Sequence, residues 1–186
     1  MPVVPVFPEA RGYILYDPKK CTGCQSCMLA CSLVHEGKTN LSLSRIQILE
    51  DRFGAYPSDI LISACRQCRY PQCIEVCSVD AMYIDKDHMN VRIIDQEKCV
   101  GCKLCIKACY FEPSKCLWNT ETEKAFKCDL CRDTSYWDQK GKLACVKVCP
   151  TRALKFSSEP PKVPGNDGYV VNLRGKGWKK LDLPVD

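Results

Sequence analysis

At 186 residues the chain is long enough for one or two small domains, with too little apolar material for a core that is stable without help. Seventeen cysteines approach the density of a secreted disulfide scaffold. That class is excluded by the odd count, by Pro2, Pro5 and Pro8 interrupting the only apolar stretch where a signal sequence would lie, and by the recurrence of cysteines two residues apart.

In chain order, Tyr13 to Tyr16 reads as a short strand leading into Cys21-x2-Cys24-x2-Cys27-x3-Cys31. This is the spacing of bacterial ferredoxins, in which three cysteines at every third position wrap three iron corners of a 4Fe-4S cubane and the fourth typically reaches the neighbouring cluster. A short helix is expected over Cys27 to Glu36, followed by a hairpin of two alternating stretches, 44–49 and 58–63. The second quartet is a variant, Cys65-x2-Cys68-x4-Cys73-x3-Cys77. Strands at Met82 to Ile84 and Arg92 to Ile94 flank the turn-forming run 85–90 and form a further hairpin. Cys99-x2-Cys102-x2-Cys105-x3-Cys109 repeats the full motif, with a helix expected over Cys105 to Tyr110. The fourth quartet, Cys128-x2-Cys131-x13-Cys145-x3-Cys149, is interrupted by a loop over 132–144 that carries Tyr136, Trp137 and Gly141, and a strand at Ala153 to Phe156 follows it.

Zinc also uses Cys-x2-Cys pairs, but combines two pairs per site; runs of three ligands and the recurring x3 step do not fit it. Four quartets therefore point to four 4Fe-4S clusters. Each oxidised cubane with its thiolates carries about two negative charges, so four bring about eight and outweigh the formal charge of +5. Nucleic acid is then not an expected partner. Lys20, Arg66, Arg69, Lys98, Lys103, Lys107, Lys127, Arg132 and Lys147 lie among the cysteines and are expected to offset cluster charge. Tyr70, Tyr110 and Phe111 are expected near the clusters, His35 and His88 on the surface, and Cys116 as a buried structural thiol outside every quartet. Nothing resembles a catalytic constellation, and no apolar run approaches bilayer-spanning length.

The chain is internally duplicated. Residues 17–31 match 95–109 at an offset of 78, and 73–84 match 145–156 at an offset of 72. The expected fold is α+β, with two pseudo-symmetric ferredoxin-like modules: residues 13–31 plus 128–156, closed by pairing the first and last strands, and residues 65–109. Residues 32–64 form an inserted hairpin, and 157–186, rich in Pro, Gly and Lys, an extended C-terminal arm for a partner subunit.

In the order and spacing of all four quartets, residues 13 to about 156 resemble the four-cluster iron-sulfur subunit of bacterial multisubunit oxidoreductases such as dimethyl sulfoxide reductase and formate dehydrogenase. The compact size and Lys-rich tail are also similar to the electron-transfer subunits of tungsten enzymes of the aldehyde oxidoreductase and class II benzoyl-coenzyme A reductase types. The resemblance implies cross-ligation of four 4Fe-4S clusters: Cys21, Cys24, Cys27 and Cys149 on one, Cys128, Cys131, Cys145 and Cys31 on its neighbour, Cys65, Cys68, Cys73 and Cys109 on a third, and Cys99, Cys102, Cys105 and Cys77 on the last. It implies a non-catalytic relay of single electrons to or from a pterin-containing catalytic subunit, with a further redox protein at the other end. A free-standing polyferredoxin carrier is the alternative. Proline follows only the last quartet, as Pro150, a departure that touches no ligand. The expected setting is the cytoplasm of an anaerobe, in a complex with no membrane-spanning segment on this chain.

Overall fold

The structure, a computed structural model, describes residues 7–135 and 143–160; Tyr136, Trp137 and Gly141 of the interrupting loop, and the arm from residue 161, lie outside the described residues. The eight strands there are β1 (Tyr13–Tyr16), β2 (Ile46–Glu50), β3 (Ile60–Ala64), β4 (Met82–Asp85), β5 (Val91–Ile94), β6 (Leu117–Asn119), β7 (Lys124–Phe126) and β8 (Leu154–Ser157). The α-helices are α1 (Ser26–Glu36), α2 (Gln72–Glu75), α3 (Leu104–Ala108) and α4 (Ala144–Val148). The strands form four two-stranded antiparallel ribbons, three of them hairpins; the fourth joins β1 to β8, with Tyr13 opposite Ser157 and Tyr16 opposite Leu154. The expected pairing of the first and last strands is therefore present. It carries the first and fourth quartets to the same end of the fold.

Local chemistry sets how each motif begins. After β1, the Asp17 carboxylate accepts the Lys19 N–H at 3.1 Å and Pro18 opens a single 3-10 turn, which delivers Cys21 in extended backbone. Gly23 then turns at φ 68° and Gln25 at φ 57°; their counterparts 78 residues on, Gly101 and Lys103, adopt φ 71° and 62°. At these positions the two motifs turn alike. Gly37, at φ 67°, ends α1 by donating its N–H to the Leu33 carbonyl. The second helix of this pair is shorter than its sequence pattern implies: α3 stops at Ala108 because Cys109 takes extended backbone at φ −64° and ψ 118°. Cys149 leaves α4 in the same way, at φ −68° and ψ 108°. Cys31, by contrast, stays inside α1.

The β6–β7 hairpin has no counterpart in the sequence pattern, because strands of three residues are too short to alternate visibly. It occupies the place in the second copy that β2–β3 holds in the first. A Cβ on Gly101 would stand 2.2 Å from the Glu123 carbonyl oxygen, as one on Gly23 would stand 2.4 Å from Glu50 Oε1. Each inserted hairpin lies over the glycine of its motif.

One apolar cluster gathers Ile14, Met28, Ile46, Ile48, Ile62, Val91, Ile93, Leu130, Leu143 and Leu154 together with several of the cysteines. At its centre sits a polar knot. Gln67, 1 % exposed, accepts the Arg92 N–H at 2.7 Å and donates to the Cys128 carbonyl oxygen at 3.1 Å. Arg92, equally buried, donates to the carbonyl oxygens of Asn90 at 2.6 Å and Pro8 at 2.8 Å. These bonds satisfy main-chain groups where the second and fourth quartets meet.

Candidate metal centres

All seventeen cysteines are free thiols, and cysteines of different quartets meet at two cavities and lie within electrostatic reach of one another elsewhere. Cys21, Cys24 and Cys27 line one small cavity with Cys149, walled by Ile48, Ile62 and Leu154. Cys99, Cys102 and Cys105 line another with Cys77, walled by Val79, Met82, Ile94 and Leu104. In both, three cysteines from one motif meet a fourth supplied by a distant quartet. Cys128, Cys131 and Cys145 are each within electrostatic reach of Cys31. Cys68 similarly feels Cys65, Cys73 and Cys109.

The sets follow one another through the fold. Cys145 of the second lies within reach of Cys27 of the first, Cys128 of Cys65 in the third, and Cys105 of Cys73 toward the fourth. Cys24 and Cys102, equivalent in the duplication, are exposed, whereas Cys31, Cys128, Cys131 and Cys145 are all buried. The first and last sets therefore face solvent, and the second is enclosed.

The chemistry of these sets calls for a cation. Burial, then the charge of neighbouring thiolates, pushes Cys27 up to about 12; burial also pushes Cys131 up to about 12 and raises Cys128 and Cys145 well above the ordinary thiol range. Crowded, desolvated thiols of this kind ionise only against bound metal. Among the described residues no three Cys, His or carboxylate groups converge as one ion would require; two sets of four cysteines instead surround cavities, which suits a cubane that takes one thiolate per iron.

Several contacts to sulfur were not legible in the sequence. Main-chain N–H groups of Arg45 and Lys115 donate to Cys31 and Cys109, each at 3.3 Å. Lys127, 2 % exposed, donates to Cys65 Sγ at 3.3 Å, to the Cys128 carbonyl oxygen at 3.3 Å and to the Arg92 carbonyl oxygen. Tyr110 is within electrostatic reach of Cys68, and its ring lies 4.7 Å from that of Phe111. Of the other cations expected to offset cluster charge, Lys20 and Lys98 pair instead with Asp17 and Asp95. Arg132 pairs with Asp85, and Arg66, Arg69 and Lys103 lie over the rings of Tyr16, Tyr70 and Trp118.

His35 corrects the expectation of a surface residue. Its side chain is 3 % exposed, with Nδ1 2.8 Å from the Cys31 carbonyl oxygen and 3.7 Å from Cys31 Sγ, and Nε2 3.0 Å from Asp129 Oδ1. Burial alone would lower its pKa; the bonds to Asp129 and Cys31 outweigh that and raise it to about 9. Asp129 also holds Arg45, so a buried charge cluster stands beside the second set. His88, on the β4–β5 turn, pairs with Asp85 at 2.8 Å. Cys116 is buried, 3 % exposed, and the proximity of Cys105 and Cys73, which belong to different sets, pushes its thiol well above the ordinary range.

Ribbons that bring paired cysteine motifs together around metal-sized cavities define an iron-sulfur protein of the two-cluster ferredoxin type, and the chain belongs to the 4Fe-4S dicluster domain family, whose models match residues 13–78 and 58–159. It is similar to YsaA of Escherichia coli (strain K12), 33% identical over 150 residues, covering 77% of this chain and 87% of that protein. It is also similar to the thiosulfate reductase electron transfer subunit PhsB of Salmonella typhi, 34% identical over 149 residues, covering 77% of this chain and 73% of that one. Among solved structures, a chain of the active site complex BamBC of benzoyl coenzyme A reductase matches at a TM-score of 0.43 and 19% identity over 78% of this chain and 76% of its own, a likeness too low to bear on function.

Proposed function

We propose that this chain is a four-cluster electron relay, the non-catalytic subunit of an oxidoreductase complex. The observation that carries the reading is the cavity at which Cys149 joins Cys21, Cys24 and Cys27, matched by the one at which Cys77 joins Cys99, Cys102 and Cys105. Those two sets, together with Cys31, Cys128, Cys131 and Cys145, and with Cys65, Cys68, Cys73 and Cys109, would each hold one 4Fe-4S cluster. A bound cubane accepts and returns one electron without breaking a bond. The protein's part is to space the cysteine sets in single file, bury the inner ones and leave the terminal sets at the surface for donor and acceptor.

The modules follow from the same placement. Residues 13–31 with 128–156, closed by the β1–β8 ribbon, would hold two clusters, and residues 65–109, closed by β4–β5, the other two, in a pseudo-symmetric pair. Relatives that are electron-transfer subunits support a catalytic partner at one exposed end, and we take that partner to be pterin-containing, with tungsten or molybdenum, and the complex to work in the cytoplasm. Among the described residues no helix is long and apolar enough to cross a membrane.

Anaerobic iron and sulfide analysis of the purified chain is expected to give about sixteen irons, and fewer than about twelve would overturn the four-cluster count. Isolation from its own cells is expected to bring down a larger oxidoreductase subunit. A fully loaded chain that elutes alone would favour the free-standing carrier.

A further inference from the structure

The two copies differ sharply in charge at one equivalent place. Cys65-x2-Cys68 and Cys128-x2-Cys131 occupy the same position in the duplication. The residue before the first cysteine is Ala64 in one copy and Lys127 in the other; the residue after it is Arg66 in one and Asp129 in the other. Ala64, 5 % exposed, offers no charge to the set containing Cys128, whereas Lys127 extends across the module boundary to Cys65.

The ammonium is held by three acceptors, Cys65 Sγ, the Arg92 carbonyl oxygen and the Cys128 carbonyl oxygen, which matches its three protons. It is also 2 % exposed, so no water screens it from the sulfur. Arg92, 1 % exposed, adds a second buried cation within electrostatic reach of Cys65, Cys68 and Cys73. The set of Cys31, Cys128, Cys131 and Cys145 has its own N–H···S bond, from Arg45 to Cys31 at 3.3 Å, and feels Lys127 at Cys128, but among the described residues no ammonium donates to its sulfurs, and the Asp129 carboxylate beside it is paired with Arg45 and His35.

We propose that Lys127 is a positioning residue for electrons: acting through the Cys65 sulfur, it sets the potential of the cluster on Cys65, Cys68, Cys73 and Cys109 above that of its pseudo-equivalent neighbour, so that electrons on the relay come to rest there. The proposal builds on the ligand sets given under the proposed function. One electron would pass from the reduced cluster beside Asp129 to the oxidised cluster beside Lys127, the first being oxidised and the second reduced, with no bond broken and no proton moved. The added negative charge would fall next to a fixed ammonium that donates to Cys65 Sγ and so stabilises the reduced form.

The test is a potentiometric titration followed by electron paramagnetic resonance on the full-length, cluster-loaded chain and its variants, with iron counted in each. Cys65→Ser and Cys109→Ser identify the signal concerned; should they perturb different signals, the ligand reading fails, not the role of Lys127. With the signal identified, Lys127→Met is expected to keep its iron and to shift that midpoint down by at least tenfold in the one-electron equilibrium, about 59 mV. The other three should move less, and Lys127→Arg should restore most of the shift. Full iron with an unmoved midpoint, or an equal shift of all four, overturns the proposal. Where Lys127→Met cannot hold the cluster, the native chain decides. The signal altered by Cys65→Ser must titrate above the one altered by Cys128→Ser, and the reverse order overturns the proposal.

Discussion

Gly101 faces the carbonyl oxygen of Glu123 so closely that a Cβ would stand 2.2 Å from it, with the Trp118 ring 3.1 Å away. The equivalent Gly23 meets only the end of the flexible Glu50 side chain at that range. Both glycines hold positive φ, so alanine costs about 1–2 kcal/mol of backbone strain at either. At Gly101 the neighbouring backbone must move as well. Gly101→Ala should therefore lower the temperature at which visible cluster absorbance is lost by clearly more than Gly23→Ala does, and equal losses would contradict this account of the β6–β7 hairpin.

Cross-ligation predicts which serine variants behave alike. Cys149→Ser is expected to perturb the same spectroscopic signal as Cys24→Ser, because Cys149 and Cys24 line one cavity, and to leave intact the signal altered by Cys145→Ser, four residues away in sequence. A shared effect of Cys149→Ser and Cys145→Ser would mean that the fourth quartet binds its own cluster.

Cys116 gives a contrasting result. Its thiol neighbours Cys105 and Cys73 from outside every set, so Cys116→Ala should retain full iron. Any spectral change should be confined to the two clusters those cysteines serve, and a loss of about four irons would make Cys116 a ligand.

Asp129 anchors buried charge at three contacts. Its carboxylate accepts from His35 at 3.0 Å and the Cys131 N–H at 3.1 Å, and it pairs with Arg45. Asp129→Asn leaves Arg45 short of a counter-charge in a buried place, a loss of about 3–5 kcal/mol by comparison with other broken buried pairs. Thermal unfolding of the loaded chain is the measurement, and an unchanged transition would show that Glu36, 3.8 Å from Arg45, suffices.

Removal of metal should unfold the protein broadly. The main apolar cluster includes Cys27, Cys31, Cys128, Cys131 and Cys145, so the cysteine sets lie within the core. Chelation under reducing conditions is expected to abolish most far-ultraviolet circular dichroism, as in other small metal-dependent folds. Persistence of native ellipticity after iron is gone would show that the four ribbons hold without it.

The parts of this fold that could be read from sequence are those with local periodicity. The first three quartets, β1, the β4–β5 hairpin and α1 each announce themselves within about a dozen residues, the fourth quartet and the β2–β3 hairpin within about two dozen, and the duplication points to the β1–β8 ribbon. Charge pairing leaves no such trace. His35 and Asp129 stand 94 positions apart, and Lys127 reaches Cys65 across 62, so neither pairing has a spacing to recognise. The pairs of Lys20 and Lys98 are local by contrast: an aspartate three residues earlier meets each of them. The β6–β7 hairpin had one available signal, the duplication itself, which places an inserted ribbon after the first motif and so asks for one after the third.

The β1–β8 ribbon also fixes an order of events during synthesis. Every cysteine of the second and third quartets has been made by residue 109, and the ribbon β4–β5 that joins them is complete. On the proposed ligand sets, the thiols of Cys21, Cys24 and Cys27, though made before those quartets, would wait for Cys149 and for Ser157 to pair with Tyr13. The first motif along this chain would thus be completed last. A ribosome stalled before Cys149 would present three thiols without their fourth partner, where oxidation or a wrong metal could reach them first.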